Sequence, residues 1–274
     1  MANNDEELFR LLPRVLRARD FHLYTDGGKR LVDLWLQGGR AILGHKPPGV
    51  LLELKNAAER WLFSPFPHPL ERRLTKALAV LCPDRSFRFY NDPLSMFHAI
   101  KKALPDECAS FQAATIPDPA FPDSNAEKAI VSLWRPFVEP VPKTPILIPV
   151  LPWPLGPAVL ALDKSLDASF PQGELIPPVL LAPAARALYD LAAQIRSRSP
   201  VRQRYYRVEK VTAGVWQRRG IYLTTQVERE KYAELFRSFL EAGFLLPPSA
   251  SEPVILPAAM SKGEETQLAK LLSY

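Results

Sequence analysis

Asp26-Gly27-Gly28-Lys29-Arg30-Leu31-Val32-Asp33, followed at positions 42–48 by Ile42-Leu43-Gly44-His45-Lys46-Pro47-Pro48, is the stretch from which the fold is read. The paired glycines supply the positive φ of a tight turn. Strand-like runs at 22–25 and 30–35 flank them, so a β-hairpin is expected. Toward the amino end, Leu8, Leu11, Leu12, Val15 and Leu16 fall at helical spacing and predict a first amphipathic helix, kinked or restarted at Pro13. Toward the carboxyl end, apolar stripes predict helices over 50–62 and 70–81, then a short strand around Phe87 and Phe89. That strand leads through Asn91 to a helix over 94–104, with Asp92 as N-cap and Pro93 at its first position.

From 105 to 123 the pattern dissolves into prolines and small polar residues, longer than an ordinary connection in a compact domain. Short apolar strands are expected at 129–134, 146–150 and 158–162, and an alanine-rich helix over 179–196. Tyr232, Leu235, Phe236, Phe239 and Leu240 predict an amphipathic helix closed by Gly243. A last strand at 254–256 precedes a helix announced by Ser261 and Glu264, the spacing of a capping box. Helices alternate with strands and no internal repeat is visible, so the fold class is α/β or α+β.

The 274 residues suffice for one large domain or two modest ones, and 29 prolines against 12 glycines imply rigid loops. Cys82 and Cys108 are too few for a disulfide framework and match no zinc spacing, which suits a reducing cytoplasm. The acidic, polar start lacks the pattern of an export signal. The uncharged run 145–162 is long enough to span a bilayer, but its five prolines favour buried strands and loop, so no membrane association is expected. His22, His45, His68 and His98 are scattered and give no metal site, and nothing in the sequence places Glu71 and Glu252 together. The net charge is +6. Part of it lies in the segment Arg196, Arg198, Arg202, Arg204, Arg207 and Lys210, which carries Tyr205 and Tyr206. Such interleaving suits single-stranded nucleic acid, but without an accompanying motif a solvated surface is the expectation.

Three segments, in order, resemble the class III pyridoxal-phosphate-dependent aminotransferases, and within them the glutamate-1-semialdehyde aminomutase branch. The first is the opening stretch together with Phe87-Arg88-Phe89-Tyr90-Asn91. The second is Pro154-Leu155-Gly156-Pro157-Ala158-Val159 with Pro183-Ala184-Ala185-Arg186-Ala187-Leu188. The third holds Gly220-Ile221-Tyr222-Leu223, Leu240-Glu241-Ala242-Gly243 and Pro247-Pro248-Ser249-Ala250-Ser251-Glu252. The resemblance implies an α/β fold of the PLP-dependent transferase (fold type I) kind, with a reduced large-domain sheet. It also implies an α+β small domain built from both termini, at 1–62 plus 200–274, around a shortened large domain at 63–199.

The same resemblance sets the chemistry that should be found. A pyridoxal enzyme needs a Schiff-base lysine, an acid on the pyridine nitrogen and donors clamping the phosphate. Counted back from Pro154-Leu155-Gly156, the lysine position is Leu147. The Asp-Glu-Val segment has no counterpart between Ala109 and Lys143, and the phosphate turn reads Asp92-Pro93-Leu94. Val254 stands near the substrate-carboxylate arginine of many class III members. No catalytic residue and no cofactor are therefore expected, only a vestigial site near Asn91, Asp92 and Leu147. The expected role is a pseudoenzyme: a homodimeric scaffold or regulator, binding a small metabolite or a full-length aminotransferase relative. The alternative is a PLP enzyme using Lys143 or Lys164, and a weaker one is nucleic-acid binding through the basic segment.

Overall fold

A computed structural model describes residues 4–105, 116–197, 205–209 and 214–273. The chain divides into a terminal unit, Met1–Pro47, Ala120–Pro122 and Arg198–Tyr274, and a central unit, Pro48–Pro119 and Asp123–Ser197.

In the terminal unit a short helix α1 (Asn4–Phe9) precedes strands β1 (Val15–Arg19), β2 (His22–Thr25) and β3 (Arg30–Asp33). The hairpin is as expected, with Thr25 N donating to Lys29 O at 3.0 Å. The amino-terminal helix is not. It stops before Pro13, and Val15 and Leu16 belong to β1, paired with β2 and exposed at 42% and 73%. Their helical spacing therefore reported no buried face.

The carboxyl-terminal part supplies α6 (Tyr206–Glu209), β8 (Trp216–Arg219), β9 (Tyr222–Thr225), α7 (Arg229–Glu241), β10 (Phe244–Leu245), β11 (Val254–Ile255) and α8 (Lys262–Leu271). Strand β10 runs parallel to β3 and completes the sheet β1-β2-β3-β10, while β11-β9-β8 form a second, antiparallel sheet. Gly243, at φ 92°, turns the chain from α7 into β10, and its carbonyl accepts from Val32 N at 2.9 Å. Helix α7 buries Tyr232, Phe236 and Phe239.

The capping box forms: Ser261 Oγ accepts from Glu264 N, and Glu264 Oε2 accepts from Ser261 N. Glu264 also ties α8 to the hairpin, its Oε1 lying 3.0 Å from His22 Nε2 and 2.7 Å from Arg30 Nη2. Burial pushes its carboxyl pKa up, but hydrogen bonds from Ser261 and His22 outweigh that and leave it below the usual glutamate range. A depressed carboxylate stabilises fully above its unfolded pKa and loses that contribution as pH falls through the folded value. Glu264→Gln is thus expected to lower the melting temperature at neutral pH. The gap from wild type should narrow through the acidic range below the ordinary glutamate pKa, and a gap unchanged down to acid unfolding would refute this linkage.

The central unit holds α2 (Pro48–Glu59), α3 (Leu70–Leu81), β4 (Arg85–Tyr90), α4 (Pro93–Ala103), β5 (Val131–Trp134), β6 (Ile146–Pro149), β7 (Ala158–Asp163) and α5 (Pro178–Arg196). Its sheet has the order β4-β7-β6-β5. Strand β7 is antiparallel to both neighbours and β5 parallel to β6, so β4, β5 and β6 share one direction. One face packs Phe89, Val159 and Leu151 against Leu74 and Leu78 of α3 and Leu181 and Leu188 of α5. The other packs Tyr90, Ile146, Ile148 and Leu160 against Met96 and Ile100 of α4. The uncharged run 145–162 forms two strands and a loop, and among the described residues no helix is long and apolar enough to cross a membrane.

The division differs from the one read in sequence. Helix α2 belongs to the central unit because Leu54 and Ala57 pack on Val179 and Ala182 of α5, so the boundary falls at 47/48 rather than 62/63. Residues 120–122 join the terminal unit.

Candidate functional site

In an open α/β sheet, ligands bind outside the carboxyl ends of the parallel strands. Here those ends are Tyr90-Asn91, Trp134-Arg135 and Pro149-Val150. At the first, Asn91 donates from its backbone N (2.8 Å) and Nδ2 (2.9 Å) to Glu174 Oε2. The segment bearing Glu174 lies against β4, with Glu174 N donating to Phe89 O at 2.7 Å. Gly173 is needed there, since an added Cβ would lie 2.6 Å from Phe89 O. Burial raises the Tyr90 phenol pKa, Arg88 opposing and Glu174 reinforcing the shift.

Asp92 caps α4 as expected: Oδ1 accepts from Ser95 N and Oδ2 from Ser95 Oγ, both at 2.9 Å. These bonds hold its carboxyl below the ordinary range. The first turn of α4 is thereby closed by an anion of the chain's own, with Pro93 in place of a donor.

At the second strand end, Arg135 forms a bidentate pair with Asp118, Nε to Oδ1 at 2.7 Å and Nη2 to Oδ2 at 2.6 Å. The side chains are only 5% and 12% exposed. Pro117 O, one residue earlier, accepts from Leu133 N at 3.0 Å and Ser132 Oγ at 3.2 Å. Residues 117–118 therefore lie along the outer edge of β5 and are clamped there. In the sequence this stretch shows no periodic pattern. Its only signals were an Asp between prolines and an Arg directly after an apolar strand.

The third strand end is Pro149-Val150-Leu151-Pro152-Trp153, without an amine. Leu147 lies within β6, level with Ala161 of β7 and hence with Phe87 of β4. Asn91 is four residues further along, about 13 Å at strand rise, and two strand spacings, about 10 Å, across. The structure therefore does not bring Leu147 to Asn91 and Asp92. It brings Leu147 to Lys143, since both line a cleft of about 570 Å³ with Cys82, Arg85, Asp163 and Ser165 at the opposite end of the sheet. Lys164 follows β7 at that same end and lies 3.5 Å from Asp84 on the surface. Cys82 is buried, which pushes its thiol up to about 12. Cys108 and the basic residues Arg198, Arg202, Arg204 and Lys210 lie outside the described residues.

The remaining sequence candidates serve the fold. His45 Nε2 donates to Asp33 Oδ2 at 2.9 Å, joining the two motifs of the opening stretch. His68 Nδ1 accepts from Leu70 N. Glu252 accepts from Trp35 Nε1 at 2.6 Å, and Glu71 lies in the first turn of α3 in the other unit. Val254 is buried in β11 beside Leu223. No group of three potential metal ligands exists among the described residues.

The whole arrangement has counterparts among solved structures. Ornithine δ-aminotransferase of Plasmodium falciparum aligns over 98% of this chain and 96% of its own with a TM-score of 0.69 at 11% identity. An omega-transaminase of Sphaerobacter thermophilus aligns over 99% and 96% (0.66, 12%), and N-acetylornithine aminotransferase of Stenotrophomonas maltophilia K279a over 98% and 96% (0.65, 12%). The fold is that of the pyridoxal-phosphate-dependent aminotransferases. It is a shortened version of it, with four strands in the central sheet among the described residues.

Sequence relatives share this scale. An uncharacterized protein of Treponema pallidum is 28% identical over 295 residues, covering 92% of this chain and 91% of its own length. One of Borreliella burgdorferi is 25% identical over 261 residues, covering 95% and 90%. No family model matches the chain.

The residues at the strand ends do not fit the cofactor of the aminotransferase fold. The end of β6 offers no amine, the acid at the end of β5, Asp118, is held by Arg135, and the turn into α4 carries Asp92 and Pro93.

Proposed function

We propose that this aminotransferase-fold chain is a pseudoenzyme, a cytoplasmic homodimer acting as a scaffold or a regulatory protein. The observation that carries this reading is Leu147, the position that the resemblance assigns to the Schiff-base lysine, together with the run Pro149 to Trp153 after β6, which also offers no amine. Lys143 and Lys164, the alternatives, lie at the end of the sheet opposite Asn91 and Asp92, Lys143 in one cleft with Leu147 and Lys164 on the surface. The aminomutase-like branch rests on the quoted motifs alone. Purified protein supplied with pyridoxal phosphate, an amino donor and a keto acceptor is expected to transfer no amino group above the rate of the free cofactor. Turnover abolished by Lys143→Ala would favour the enzyme reading instead.

Support for the dimer comes from exposed apolar side chains of the central unit, among them an aromatic pair. Leu52, Trp61, Phe63 and Phe66 are 59%, 81%, 48% and 56% exposed, and Trp61 and Phe63 stack edge to face at 5.2 Å. Large exposed apolar patches mark interaction surfaces. Sedimentation should give a dimer for the wild type and a monomer for Trp61→Asp/Phe66→Asp. A wild type that stays monomeric at high concentration would rule the dimer out.

A further inference from the structure

The larger cleft, about 880 Å³, belongs wholly to the terminal unit. Leu8 and Leu11, Val227 and Ala233, and Pro248 give it an apolar lining. Tyr232 is a fixed part of that wall, its hydroxyl donating to Pro247 O at 2.8 Å. Two ionised side chains face the same space, Glu7 from α1 and Arg237 from α7. Neither forms an ion pair with the other or with any described residue. Ser249 and Ser251 add hydroxyls 2.8 Å apart, one of which keeps its hydrogen for an outside acceptor.

An acid and a guanidinium that line one apolar-walled cleft without pairing complement a molecule with an ammonium at one end, a carboxylate at the other and an aliphatic body between. The volume is that of sites for ligands of several hundred daltons rather than of one amino acid. We propose that this cleft binds a short peptide with free termini and aliphatic side chains. Its terminal carboxylate lies on Arg237, its terminal ammonium toward Glu7, and a backbone carbonyl accepts from the Ser249–Ser251 pair. Arg237 suits the carboxylate because a guanidinium can grip it with two parallel bonds. The proposal is independent of whether the strand ends carry catalysis, because it uses none of those residues.

Calorimetric titration of the full-length protein with the tripeptide Leu-Gly-Leu tests it. Saturable binding is expected, weakened about tenfold or more by amidating the carboxyl end, by acetylating the amino end, or by Arg237→Gln or Glu7→Gln. Free leucine should bind at least about tenfold more weakly than the tripeptide. Both mutated side chains are exposed, so the variants should fold, and the capped peptides probe the same contacts without any mutation. No saturable heat with Leu-Gly-Leu at a Kd of about 1 mM or tighter, equal affinity for capped and free peptides, or leucine binding as well as the tripeptide would each overturn the proposal.

Discussion

Arg135→Ala is expected to destabilise the central unit by about 3–5 kcal/mol, because it removes the bidentate partner of Asp118 where water hardly reaches. The same change frees the segment that covers the outer edge of β5, exposing strand N–H and C=O groups to other chains. Aggregation on mild heating should accompany the lost stability. Denaturant unfolding followed by the fluorescence of Trp134, the adjacent residue, reads the first effect, and light scattering the second. The double variant Arg135→Met/Asp118→Leu serves as the control, since exchanging a buried pair for apolar groups is often close to neutral. A single variant as stable as wild type would show that the pair holds nothing in place.

Asp33→Ala is expected to cost the terminal unit a similar amount, roughly 3–5 kcal/mol. The carboxylate is 2% exposed and serves three donors: Trp35 N and Leu36 N at 2.9 Å on Oδ1, and His45 Nε2 at 2.9 Å on Oδ2. Removing the acceptor leaves two backbone donors and a ring nitrogen buried and unmet. Asp33→Asn should fall between, since its amide oxygen still receives the two backbone bonds. Hydrogen exchange gives the site-resolved check: the amides of Trp35 and Leu36 should be protected in wild type and in Asp33→Asn, and exchange rapidly in Asp33→Ala. Continued protection in Asp33→Ala would contradict the role assigned to the carboxylate.

Elements whose signals are local were legible before any coordinates. The glycine turn, the Asp92 cap with Pro93 behind it, the Ser261–Glu264 box and the glycine after α7 each act within a few residues of the chain they shape. The errors arise where the deciding partner is remote or where apolar side chains stay in solvent. Leu8 to Leu16 fit a helical period, but Pro13 broke it and β2 offered Val15 and Leu16 a strand partner. Helix α2 joined the central unit because α5, more than a hundred residues later, supplies its apolar partner. The Arg135–Asp118 clamp spans seventeen residues and has no periodicity to reveal it.

For the site, sequence counting from Pro154-Leu155-Gly156 fixed an address but not a depth in the sheet. The register of β6 against β7 puts Leu147 two residues short of the strand end and beside Lys143. The absence of an amine was legible; the separation of Leu147 from Asn91 required the strand pairing.

The most direct test of the reading that amine chemistry has left this fold is borohydride reduction of the native protein after incubation with pyridoxal phosphate, followed by peptide mapping. The expected result is no site-specific labelling, only low, scattered modification of exposed lysines. Stoichiometric attachment at one lysine, with the visible absorbance of a bound cofactor before reduction, would contradict it.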